Sequence, residues 1–389
     1  MKPRFARSTL SLFVLMLVLV GLLSACGEPK PITIGALIPE TGPAASYGRT
    51  IHQGIEIAIE DINAAGGVAG GHKLLVEYRD THTSAPQAKV GLQELVDLGV
   101  PAIIGPGTSS VALSLVPDIN RTKVLLVSPS ASSPRLSSEG GEWFYRVYPS
   151  DIVEGFRMAN FCRDMFWTKI AIIASDDPFG RGIADVFTKK YEAGVREIVL
   201  RENFKTLDDA KVDELIKKIQ KVRPDAVYLA AYVDDVAILL KKFQGLRNRP
   251  PLLGTSAVTR EIVKKAGQAA EGFVFPQVYF DCESTDPDTC SFVDKYRKRY
   301  QEDPDTFAAH AYDAVRVVAA AMNQTPVINS SALTGELARI AYKGVTGNIQ
   351  FDQNGDVVRA PSLFAVLGGE IVPFEKFKEA RLGQEIFKQ

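Results

Sequence analysis

Short β-branched runs alternate with helix-patterned stretches along most of this chain, and that alternation restricts the possible folds more than any other feature. Residues 32–38 read as a strand that stops at Pro39. After it, Ile51, Ile55, Ile59 and Ile62 recur at spacings of four, four and three, the apolar face of one helix. Residues 66–71, Gly-Gly-Val-Ala-Gly-Gly, read as a turn in which glycine supplies positive φ at low cost. Strands are predicted again at 74–78, 100–104 and 124–127, with helices opening at Pro86 and near Ser109. Repeated strand–helix–strand order with apolar strands predicts a parallel sheet covered by helices on both faces.

The rhythm restarts after Pro149. Strands are predicted at 169–174, 195–200, 226–230 and 252–254, and helices at 181–193, 208–222, 233–243 and 261–269. Two α/β blocks of about 120 residues agree with ordinary domain sizes. The predicted fold class is α/β, with two doubly wound lobes. Further helices are expected at 292–300 and 309–322, and a hairpin at 362–367 and 371–374 around Gly368-Gly369.

The amino terminus predicts where such a body works. Lys2, Arg4 and Arg7 precede an apolar run of 14 residues, Leu10 to Leu23, followed by Ser24-Ala25-Cys26. Basic, apolar and small-residue segments in that order read as an export signal. A transmembrane anchor is the rival reading, but the run is shorter than the ~20 residues that span a bilayer. Leu23-Ser24-Ala25-Cys26 resembles the lipobox of bacterial lipoproteins, which implies loss of residues 1–25 and a lipid on Cys26. The remaining 364 residues suffice for two domains with cores of their own. Net charge is −1 with no basic block, so nucleic acid is not an expected partner.

Outside the cytoplasm cysteines tend to pair. Cys282 and Cys290 stand eight apart in a loop-like stretch and are expected to form a disulfide, worth about 2.5 kcal/mol by chain entropy. A metal site there lacks a histidine or a second cysteine pair. Cys162, among apolar neighbours, reads as a buried thiol.

No motif of catalysis stands out. The chain has no Gly-x-Ser-x-Gly elbow, no His-Glu-x-x-His and no phosphate-binding loop, and Gly105-Pro-Gly107 lacks the third glycine of a dinucleotide fingerprint. Its four histidines are scattered. No cofactor or metal is expected. An enzyme with a dispersed active site stays open as a reading.

Polar residues instead concentrate just past the carboxyl ends of strands, where doubly wound sheets bind ligands. Gly105-Pro-Gly-Thr-Ser-Ser110 follows the third strand and opens a helix, whose free N–H groups and dipole favour a carboxylate. The hydroxyls of Thr108, Ser109 and Ser110 add donors; ordinary N-capping explains the same residues. Ser128-Pro-Ser-Ala-Ser-Ser133 follows the fourth strand and supplies a second hydroxyl cluster at the same edge. Tyr47 follows the first strand. In the second block Asp176-Asp-Pro-Phe-Gly180 and Tyr232 follow strands, so this lobe offers aromatic walls.

These loops resemble the solute-binding proteins of branched-chain amino acid ABC importers, the leucine/isoleucine/valine-binding type with the type I periplasmic binding protein fold. The resemblance covers nearly the whole exported chain. It rests on Ile34-Gly-Ala, Gly42-Pro-Ala-Ala-Ser-Tyr-Gly48, Asp61-Ile-Asn-Ala-Ala-Gly-Gly-Val68, Ile104-Gly-Pro, Ser128-Pro-Ser-Ala-Ser132, Tyr312-Asp-Ala314 and Gly347-Asn-Ile-Gln-Phe-Asp-Gln-Asn-Gly355. It implies ligand-binding roles for Tyr47, Ser109, Ser110, Ser130, Ser132, Phe179, Tyr232 and Ser256, with the serines on the ligand's carboxylate and ammonium. Where the family often carries an acid for the ammonium, this chain has Ser256. Either Asp234 or Asp176 replaces it, or the ligand has no ammonium, since a buried ammonium without counter-charge is costly. Asp234 also reads as a helix cap.

The resemblance further implies lobes of 26–148 with 280–351 and 149–279 with 352–389, joined by three crossings. It implies a monomer that closes on a small solute, delivers it to a membrane permease and ATPase, and stays on the membrane by its lipid. An amino acid is the expected solute; a short carboxylate, an amide or an aromatic acid are alternatives. A sensory module that feeds a receptor is a further reading.

Overall fold

The computed structural model describes residues 29–278, 280–357 and 359–386. Residues 1–25 and Cys26 lie outside them, and with them the export segment and the lipid site.

Two large sheets organise the chain. The first part runs β1 (Ile32–Ile38), α1 (Ala45–Ala64), β2 (Leu74–Asp80), α2 (Ala85–Asp97), β3 (Ala102–Ile104), α3 (Ser109–Thr122), β4 (Leu125–Ser128), α4 (Pro134–Glu139) and β5 (Phe144–Arg146). Its five strands are all parallel, in the order β2-β1-β3-β4-β5. Then come α5 (Asp151–Asp164), β6 (Lys169–Ser175), α6 (Pro178–Tyr191), β7 (Glu197–Phe204), α7 (Asp209–Val222), β8 (Ala226–Ala230), α8 (Val233–Gln244), β9 (Leu252–Leu253), α9 (Glu261–Ala266) and β10 (Val274–Gln277).

The chain continues with α10 (Pro287–Tyr300), α11 (Thr306–Gln324), α12 (Ser330–Leu337), the small hairpin β11 (Tyr342–Gly344) and β12 (Gly347–Ile349), then β13 (Ser362–Leu367), β14 (Glu370–Pro373) and α13 (Phe374–Ile386). The second sheet is ordered β14-β13-β10-β9-β8-β6-β7; the terminal hairpin joins antiparallel to β10, and the other pairings are parallel. Two doubly wound α/β units are therefore present.

The apolar runs dictate this layering. β4 and β8 are buried along their whole length, as strands with helices on both faces must be. α1 buries Ile51, Ile55 and Ile62 against the first sheet and α11. A Cβ on Gly54 would stand 2.1 Å from Ala308 O, so glycine lets α1 and α11 meet backbone to backbone. The chain leaves the first sheet after β5, returns after β10 through α10 and α11, and leaves again for β13.

Several expectations need correction. Pattern reading passed over α4, α5, α12 and β5, which are short or, in α5, carry acids on the buried face. Cys282 and Cys290 are both free thiols. Cys282 Sγ sits 3.4 Å from Pro304 O, beside Arg260, whereas Cys290 in the first turn of α10 donates to Ser284 O at 2.8 Å. The helix start thus turns the two sulfurs toward different partners. Cys162 is fully buried, and burial pushes its thiol well above the usual range.

Candidate functional site

The strand orders locate the site. In the first sheet the winding direction reverses between β1 and β3, and in the second between β6 and β8. Loops leaving the ends of such strand pairs diverge and open a crevice. The four loops concerned carry Tyr47, Ser109, Phe179 and Tyr232, and all four side chains line one cavity. Ser130, Ser132 and Ser256 line it as well, with Gly107, Thr108, Tyr148, Ala257 and Phe307. Of the eight residues expected from sequence, only Ser110 does not; one helical position beyond Ser109, it is rotated by about 100° away.

An aromatic–glycine pair builds each side. Tyr47 precedes Gly48, and a Cβ on Gly48 would lie 1.9 Å from Pro39 O. Phe179 precedes Gly180, and a Cβ there would lie 2.3 Å from Ser175 Oγ. Each glycine lets the first turn of a helix press against the end of the preceding strand, which carries the aromatic over the cavity. Tyr47 then packs edge-on against Tyr232 and Phe307, with ring centroids 5.9 and 5.2 Å away, and Phe179 lies 5.1 Å from Tyr232.

The two sides touch across the cavity. Tyr47 OH donates to Ala257 O at 2.9 Å and accepts from Val233 N at 3.1 Å. At the rim Ser133 Oγ donates to Pro178 O at 3.1 Å. The room left for water centres is about 30 Å³, enough for two or three waters at about 10–15 Å³ each.

Hydroxyl directions give the first wall two ends. Ser109 Oγ accepts from Ser132 N at 3.2 Å and Ser133 N at 3.0 Å, which leaves its own hydrogen available to donate to a group in the cavity that it lines. Ser130 Oγ donates to Gly107 O at 2.9 Å and Ser132 Oγ donates to Asp151 Oδ2 at 3.0 Å, so both present lone pairs. Thr108 is the N-cap residue of α3, yet no side chain among the described residues caps this helix, and Thr108 Oγ1 has no partner among them. Capping therefore does not account for the hydroxyl cluster. The first-turn N–H groups and Ser109 form a donor end, and Ser130 and Ser132 an acceptor end.

The acids proposed for the ammonium stand elsewhere. Asp234 pairs with Lys265 at 2.6 Å and is half exposed. Asp176 pairs with Arg181. The acids near the cavity are Asp151 and Glu154 in the first turn of α5, 1% and 4% exposed. Glu154 Oε1 accepts from Ser256 N at 2.9 Å, directly behind the position where sequence shows an acid missing. Desolvation raises both carboxyls, Glu154 to about 7 and Asp151 well above its ordinary range, with the neighbouring Glu154 charge adding to the shift of Asp151.

A family model described as periplasmic binding protein matches residues 31–369. The chain belongs to this family. Among curated relatives, the leucine-, isoleucine-, valine-, threonine- and alanine-binding protein of Pseudomonas aeruginosa is 28% identical over 346 residues, covering 87% of this periplasmic binding protein and 90% of the relative. Among solved structures, the branched-chain amino acid transporter substrate binding protein LivJ of Streptococcus pneumoniae, in complex with isoleucine, superposes with a TM-score of 0.78 at 27% identity, covering 88% of this chain and 97% of that one. A solute binding protein from R. palustris in complex with benzoate shares the fold, with a TM-score of 0.80 at 19% identity over 88% and 95% of the two chains. The family works outside the cytoplasm, and among the described residues no helix is long and apolar enough to cross a membrane.

Four side chains of this periplasmic binding protein's site escaped the sequence reading. Tyr148 follows β5, a strand the pattern reading passed over, and Phe307 opens α11, which follows no strand of the two large sheets directly. Asp151 and Glu154 did leave a signal: with Gly155, Met158 and Cys162 they fall on one helical face, and acids on an apolar face ask for an explanation.

Proposed function

We propose that this periplasmic binding protein captures a free amino acid with an aliphatic side chain of about leucine's size and hands it to an ABC permease and ATPase, without altering it. The observation that carries this reading is the split polarity of the first wall, donors at Ser109 and the α3 terminus, acceptors at Ser130 and Ser132. A zwitterion needs both ends within a few ångströms. The helix terminus adds about 0.3–1 kcal/mol for a carboxylate, up to ~2 when partly buried. Tyr47, Tyr148, Phe179, Tyr232 and Phe307 surround the remainder with aromatic faces suited to an apolar side chain.

On this reading Tyr47, Ser109, Ser130, Ser132, Phe179, Tyr232 and Ser256 contact the ligand, and lobes 26–148 with 280–351 and 149–279 with 352–389 close on it as a monomer. Cys26 carries the lipid that keeps the body beside its transporter. Closure by ligand requires ligand contacts made only in the closed arrangement, and the ligand-lining residues of both walls would supply them on this reading.

A thermal-shift screen followed by calorimetry tests the reading. L-leucine, L-isoleucine or L-valine should raise the melting temperature and bind one to one. A shift with benzoate or isocaproate and none with any amino acid would reassign the solute class, which the aromatic lining makes the main competitor. Mass spectrometry of the recovered ligand should show it unchanged.

A further inference from the structure

Asp151 and Glu154 open α5 immediately after the chain leaves the first sheet, and each holds a different wall of the cavity. Asp151 Oδ2 takes the hydroxyl of Ser132, from the loop after β4. Glu154 Oε1 takes the backbone N–H of Ser256, from the loop after β9. Asp151 Oδ1 has no hydrogen-bond partner among the described residues. A buried acceptor left over behind two lining serines is costly unless something compensates it.

We propose that Asp151 and Glu154 together form the counter-charge for the ligand's ammonium, acting through Ser132 and Ser256 as positioning residues, and that they release a proton to solvent when the ammonium arrives. This rests on the reading that the solute is an amino acid. It assigns the role of the acid missing at Ser256 to two residues of another element.

The Ser132 hydroxyl works as a directional relay. While Asp151 is ionised, Ser132 donates to it and turns lone pairs to the cavity, as an ammonium requires. A protonated Asp151 donates to Ser132 instead, which turns the hydroxyl hydrogen toward the cavity and disfavours a cation. The ionisable groups facing the pair are Arg146 from β5, Tyr148 from the crossing, Asp177 at the start of α6, Tyr228 within β8, and Tyr232 at the N-cap of α8. Arg146 favours the ionised form and Asp177 opposes it. β10, which also packs on α5, contributes no ionisable side chain. Burial keeps a proton on the pair into the neutral range, and an ammonium beside it favours the ionised form. Binding and deprotonation are then linked reciprocally.

Titration calorimetry of L-leucine into the purified protein, in two buffers of different ionisation enthalpy, counts the protons. Close to one should be released near pH 6 and almost none above about pH 8, with affinity rising up to roughly tenfold per pH unit between about 5 and 7. Glu154→Gln should lower the count and flatten the profile; Asp151→Asn serves the same purpose should the first variant fold poorly. Isocaproate, leucine without its ammonium, should bind, if at all, without proton release. Leucine binding without proton release, or with the same profile in both variants, overturns the proposal and leaves amino-acid binding standing. No leucine binding at any pH overturns the functional reading and this proposal together.

Discussion

Arg146 and Asp356, 210 residues apart in the chain, meet as a buried bidentate pair, Nε to Oδ1 at 2.6 Å and Nη2 to Oδ2 at 2.9 Å. The same guanidinium donates to Ser137 Oγ at 2.7 Å and to the carbonyls of Ala131 and Ser133 at 3.2 and 3.0 Å. All five of its N–H bonds are thereby used. The two carbonyls flank Ser132, so the pair ties the segment that leads to the second sheet to the loop that lines the cavity.

Breaking that pair from one side leaves a buried charge uncompensated. Arg146→Met or Asp356→Asn should lower stability by about 3–5 kcal/mol, read by urea unfolding. The double variant should recover much of the loss. Equal additive losses would show that the two residues act independently.

Ser109→Ala with Ser132→Ala removes one member from each end of the polar wall. Hydrogen bonds to charged groups contribute about 1.5–3 kcal/mol each, so leucine affinity should fall at least roughly 100-fold while circular dichroism stays that of a folded chain. Affinity within twofold of the parent would take this wall out of the binding site.

Tyr47→Phe keeps the ring contacts and deletes the oxygen that joins Ala257 O and Val233 N. Leaving those groups unpaired costs about 1–3 kcal/mol in the closed arrangement alone. Leucine affinity should drop by roughly 10- to 100-fold, and small-angle scattering should show a larger radius of gyration for the ligand-free variant. An unchanged radius would mean that this bridge does not govern closure.

Stability should also report Glu154. Its folded-state value of about 7 lies above the ordinary 4.5, so the folded chain holds this proton more tightly than the unfolded one. The contribution is present in full below about 4.5 and is lost as pH rises through about 7. Against Glu154→Gln, the parent should lose roughly 3 kcal/mol of relative stability across that window. A difference curve that is flat from pH 4 to 8 would contradict the burial argument.

The cysteines give a covalent check. Cys290 is partly exposed, whereas Cys162 and Cys282 are buried. Alkylation of the native protein should modify Cys290 first, and a reductant should leave the melting temperature unchanged. A mass lower by two hydrogens without reductant would restore the disulfide.

Much of the fold is legible because its strands are apolar runs bounded by glycine and proline. Residues 32–38, 226–230 and 362–367 are strands with the expected bounds. Ser109, Ser130 and Ser132 were legible for the same reason, since they follow such runs, whereas Ser256 was singled out only by the family resemblance. Tyr148, Phe307, Asp151 and Glu154 reach the site through tertiary packing of a crossing segment and two helices, which no local period encodes. The cysteine pair misled because closeness in sequence does not fix the direction of a Cβ once a helix begins between them.

Helix α3 begins at Ser109, after an N-cap residue, Thr108, whose side chain makes no capping hydrogen bond, although hydroxyls crowd around it. A solute carboxylate seated there would complete the hydrogen bonding of that turn, making cargo the final piece of a secondary-structure element. Loading and folding would then share one free-energy ledger: each tenfold excess of solute over its dissociation constant adds about 1.4 kcal/mol to the native state. The laden carrier would accordingly resist proteases better than the idle one, and its lifetime in the cell envelope would follow the supply of the nutrient it collects.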